Sequence, residues 1–140
     1  MNLQDLLKTV LYTEGEDRVV LAKKSLDRAL QELERFDVPK DAYGLFAISL
    51  VKLFVRADRM ISFEDYSFIS EVLNLQLSMQ DFVEKMKDRS DEVRAATLDN
   101  VIDRFSPEGK EALCTFGLCV LESDDVLTRE EQSLFERLLN

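Results

Sequence analysis

Arg56-Ala57-Asp58-Arg59-Met60-Ile61-Ser62-Phe63-Glu64-Asp65 has a second copy in this chain, Glu122-Ser123-Asp124-Asp125-Val126-Leu127-Thr128-Arg129-Glu130-Glu131. The copies align without a gap at an offset of 66 residues (124 − 58), pairing Asp58 with Asp124, Ile61 with Leu127, Ser62 with Thr128, Glu64 with Glu130 and Asp65 with Glu131. The match runs upstream through Leu50/Phe116, Phe54/Val120 and Val55/Leu121, and downstream through Ser67/Ser133, Leu73/Leu139 and Asn74/Asn140. A self-match of this length marks a duplicated supersecondary unit. Each copy follows an apolar run and opens an amphipathic one, so the unit reads as helix–turn–helix, spanning about residues 41–74 and 107–140.

The apolar run of the first unit, Leu45 to Val55, is interrupted only by Ser49 and Lys52. A helix that is hydrophobic nearly all round is expected to be buried on most sides. Its counterpart, Ala112 to Leu121, follows Ser106-Pro107-Glu108, an N-cap with proline at the first helical position. These two helices are therefore expected to form the centre of a pseudo-two-fold core. Gly117 stands opposite Val51 in the repeat and reads either as a point of close approach or as a tolerated glycine.

Outside the repeats the pattern is helical as well. Leu3, Leu6, Leu7, Val10 and Leu11 give a first amphipathic helix, and Val19, Ala22, Leu26, Leu30 and Leu33 a second. Thr13 and Glu16 are spaced as a capping box for the second helix, which Pro39 obliges to end near Phe36. Ser78 heads a helix carrying Met79, Phe82, Val83 and Met86; Ser90 heads one carrying Leu98, Val101, Ile102 and Phe105. No linker or composition shift divides the 140 residues. The expectation is one all-α domain, residues 1–140, a bundle of about seven or eight helices.

With 28 acidic and 18 basic residues the formal net charge is −10. Such a surface disfavours nucleic acid and anionic membrane, and suits cations or a basic protein face; it also serves plain solubility. No apolar segment is long enough to span a bilayer and the N-terminus does not read as a signal peptide, so the expected location is cytoplasmic. Cys114 and Cys119 fall on an apolar helical stretch at a spacing that suits neither a disulfide nor a zinc pair, and read as buried small hydrophobes. The chain contains no histidine and no glycine-rich phosphate loop, so catalysis is not expected.

The repeated turn has two readings. In the structural one, Asp58 and Asp124 bond their own turns, Ser62 and Thr128 cap the following helices, and Asp65 and Glu131 at N3 complete capping boxes. Ile61 and Leu127 then pin the turn to the core. In the functional one, Asp58, Glu64 and Asp65, with Asp124, Glu130 and Glu131, supply the hard oxygens that calcium or magnesium prefers. An EF-hand is excluded, because Phe54 and Arg56 would occupy ligand positions and Arg59 the obligatory glycine.

An apolar helix, then Ala-Asp-Gly-x-Ile-Ser-x-x-Glu, then an amphipathic helix, twice over, resembles the tellurite-resistance protein B (TerB)-like domains. Ala57, Asp58, Ile61 and Ser62 match that pattern in the first copy, with Asp65 replacing its final glutamate; Asp124 and Glu131 match in the second, which is conservative elsewhere. The motif's glycine is replaced by Arg59 and Asp125. The resemblance covers roughly residues 41–140. It implies a compact helical bundle tied to stress or tellurite-resistance systems, working by protein association, with an acidic face that takes divalent cations. The alternative is a pure interaction module without a metal site, whose sign would be an exposed apolar patch such as Met79, Phe82 and Met86. Either reading leaves a monomer or weak homodimer and an unidentified partner with a basic face.

Overall fold

The computed structural model describes residues 2–36, 38–57, 61–87, 100–121 and 127–140. The described residues form an all-helical bundle. Helix α1 spans Leu3–Leu11, α2 Glu16–Glu32, α3 Tyr43–Ala57, α4 Phe63–Leu73 and α5 Met79–Lys87. The described part of α6 is residues 100–103; α7 spans Pro107–Val120 and α8 Arg129–Leu139. Single 3-10 turns, Leu33–Phe36 and Lys40–Ala42, join α2 to α3 across Pro39.

The duplication is reproduced in register. Helix α8 begins 66 residues after α4 (129 − 63) and ends 66 after it (139 − 73). Asn74 closes α4 in the left-handed conformation, φ 54°, and its repeat partner Asn140 closes α8. Asparagine tolerates that conformation because its short polar side chain bonds locally.

The core is one cluster with α7 at its centre. From Leu113 to Val120 every residue of α7 is buried, and the helix packs against α1, α2, α3, α4 and α8. Its side chains include Gly109, Cys114, Thr115, Gly117 and Cys119, small enough to let neighbours close in from all sides. Helix α2 makes the most extensive of these contacts. Its buried face carries the equally small Ala22, Ser25 and Ala29.

The expected pair of equally central helices is corrected on one side. Helix α3 buries Ala47, Leu50, Val51 and Phe54 along one stripe, and Lys52 outside it, whereas Leu45 is 46% exposed and Phe46, Ile48, Leu53 and Val55 are half-buried. Where α3 meets α7, the ring of Phe54 lies against Gly117, and a Cβ there would approach Phe54 Cδ1 to 2.7 Å. Close approach is therefore the correct reading of Gly117. Phe54 also stacks on Phe135 of α8, with centroids 5.4 Å apart, and meets Phe116 edge-on at 6.3 Å.

The start of α2 differs from expectation too. Gly15, at φ 58°, is the N-cap and makes no side-chain cap bond. Thr13 instead donates its hydroxyl to Thr9 O of the preceding helix at 2.8 Å. Arg18 reaches back to donate to Thr13 O at 2.9 Å and Val10 O at 3.1 Å, satisfying carbonyls at the C-terminal end of α1. Among the described residues no helix is long and apolar enough to cross a membrane.

Candidate functional site: the repeated acidic turns

Both repeated turns end in complete capping boxes. Ser62 Oγ accepts from Asp65 N at 3.0 Å, while Ser62 N donates to Asp65 Oδ2 at 3.1 Å. In the second copy Thr128 Oγ1 accepts from Glu131 N at 3.1 Å and Thr128 N donates to Glu131 Oε1 at 2.9 Å. Each pair satisfies two backbone donors that a helix start leaves open, and each places a carboxylate where the helix dipole favours one. Ile61 and Leu127 pack, half-buried, against the core and pin the turns to it.

The six candidate ligands thus separate. Asp65 and Glu131 each commit an oxygen to their caps. Glu64 and Glu130 stand outside the boxes and are exposed. Asp58 and Asp124 lie outside the described residues. Among the described residues no group of three or more Asp, Glu or Cys side chains is gathered closely enough to hold a metal ion. Phe82 and Met86, whose exposure would have been the sign of a pure interaction module, are core, 0% and 3% exposed.

The two copies differ at the residue after the cap. Phe63 is 62% exposed in the first, and Arg129 is exposed in the second. Helix α4 carries Glu64, Asp65 and Glu71 with no basic residue, whereas α8 offsets its acids with Arg129 and Arg137.

A second polar constellation escaped the sequence reading. Glu32, in the last turn of α2, is only 2% exposed. Its Oε1 accepts from Ser106 N at 3.2 Å and from the Ser106 hydroxyl, and its Oε2 accepts from Arg35 Nη1 at 2.9 Å. Arg28 Nη1 lies 3.5 Å from Oε1. Ser106 is the N-cap of α7, with Pro107 behind it, and its Oγ accepts from Gly109 N at 3.1 Å. One carboxylate therefore joins the end of α2 to the start of α7. Burial alone would raise the pKa of Glu32, but hydrogen bonds from Ser106 and Arg35, with the charge of Arg28, hold it below the usual 4.5. The signal was present in the periodicity: Ser25, Ala29 and Glu32 follow one helical stripe, and Arg28 and Arg35 flank Glu32 at i−4 and i+3.

Neither cysteine offers a nucleophile. Burial pushes the thiols of Cys114 and Cys119 up to about 12. Comparisons with protein-family models, curated proteins and solved structures found no match to this chain.

Proposed function

We propose that this chain is a non-catalytic association domain of the TerB-like kind, which presents its acidic turns to a basic protein face and holds a divalent cation weakly there. The observation that carries this reading is the strict 66-residue register of two capped turns (128 − 62), each leaving one exposed glutamate, Glu64 or Glu130, outside its box. Capping needs a single acid at N3; the second acid in each copy has no part in it. The net charge of −10, the absence of histidine and the protonated thiols support association over catalysis.

The alternative, an interaction module with no metal site, is favoured by the commitment of Asp65 and Glu131 to hydrogen bonds within their own turns. Calorimetry and thermal unfolding with calcium and with magnesium separate the two. Under the cation reading, added metal stabilises the protein by RT ln(1 + [L]/Kd), and Asp58→Asn and Asp124→Asn each reduce the gain. Absence of any gain at millimolar metal removes the cation and leaves the interaction module.

A further inference from the structure

The duplication supplies its own control. Positions 63 and 129 are the first residues of α4 and α8, each following a capping residue in the same register and the same type of box. At one of them the fold accepts an arginine, so an aromatic ring is no requirement of the turn. At the other it carries Phe63, 62% exposed, forgoing most of the stabilisation that burying such a side chain would contribute.

Phe63 is nonetheless positioned. Its ring lies 5.9 Å from that of Tyr66, which in turn meets the fully buried Phe82 edge-on at 5.5 Å. The series runs from core to solvent and leaves most of the outer ring uncovered. Around it the exposed residues of α4 are Glu64, Ser67 and Glu71, and the helix has no Lys or Arg. An aromatic face beside a carboxylate attracts a guanidinium or ammonium group: the ring quadrupole favours the cation and the carboxylate pairs with it.

We propose that Phe63, with Glu64, is the docking point for an arginine side chain of a basic protein partner, and that the second turn, with Arg129 in that place, is not. This rests on the association reading and gives it one address on the surface. A second copy of this chain is the less suitable occupant, because two molecules of net charge −10 repel.

The test is a nitrogen-15 NMR titration of the full chain, at low salt, with a blocked pentapeptide containing two arginines. The same peptide with citrulline in place of arginine serves as the uncharged control. The expected result is amide shifts concentrated at residues 62–67, absent with citrulline. Phe63→Ala should weaken binding about two- to fivefold, the effect of an exposed cation–π contact. Phe63→Arg, which copies the second turn, should abolish the localised shifts with the melting temperature unchanged. Shifts spread over both acidic turns, or undiminished in Phe63→Ala, overturn the docking point and leave the association reading standing. Shifts at 62–67 that grow with protein concentration alone make a second copy the occupant and overturn the proposal. No shift anywhere overturns both readings.

Discussion

At the scale of single residues, Gly44 and Gly117, one on each apolar helix, have opposite roles. Gly117 exists because the Phe54 ring occupies the space of its Cβ, and that ring is itself held between Phe116 and Phe135. Gly117→Ala gains about 1 kcal/mol of helix propensity. It must then displace a packed aromatic, an overpacking cost of about 1–3 kcal/mol. Gly44, near the start of α3, has nothing within 4 Å of a built Cβ. Gly44→Ala should therefore stabilise by about 0.4–1 kcal/mol, through the unfolded chain. Urea unfolding of both variants checks the sign: a loss for Gly117→Ala and a gain for Gly44→Ala. Phe54→Ala, which empties the junction of α3, α7 and α8, should cost about 3–5 kcal/mol by the same measurement.

At the scale of elements, the helix starts separate what is local from what is not. Ser62, Thr128, Ser78 and Ser106 were legible as caps because the partner of a capping hydroxyl lies three residues ahead: Asp65, Glu131, Asp81 and Gly109 all donate their N–H as the spacing requires. Thr13 had the same spacing to Glu16 and failed. The turn before α2 is shaped by Gly15 and by Arg18 folding back on α1, a preference decided between helices. Ser62→Ala and Thr128→Ala should each cost about 0.5–2 kcal/mol. Because the two boxes share one geometry, the costs should be similar. Denaturant titration measures them, and native-state hydrogen exchange should place the loss at the first turns of α4 and α8. A null effect in both would show that the repeated hydroxyls serve something other than capping.

At the scale of the whole molecule, periodicity established that the chain folds as helices but not which helix lies innermost. The apolar runs of α3 and α7 look alike as sequences; small side chains separate them, since among the described residues Gly117, Cys114 and Cys119 let α7 pack against five helices while Leu45 of α3 stays half exposed. The same enclosure brings the end of α2 onto the start of α7 and turns Glu32, an ordinary surface letter in the sequence, into a buried link across 74 residues. Its contribution to stability is tied to pH. The folded-state pKa of Glu32 lies below its ordinary 4.5, so the folded protein binds this proton less readily than the unfolded chain. The stabilisation is therefore complete above about pH 4.5 and is lost as the pH falls through the folded-state pKa. Glu32→Gln keeps the shape and removes the charge. At pH 7 it should cost roughly 1.5–3 kcal/mol, the range for hydrogen bonds to a charged group. Below pH 4.5 the gap between parent and variant should narrow, because protonating the parent's carboxyl removes the charge the variant lacks. Unfolding free energies of both proteins, measured from pH 7 to pH 3, provide the check. Taking the difference cancels the other acids to first order, so a gap that stays constant across this range would mean that Glu32 acts through packing alone.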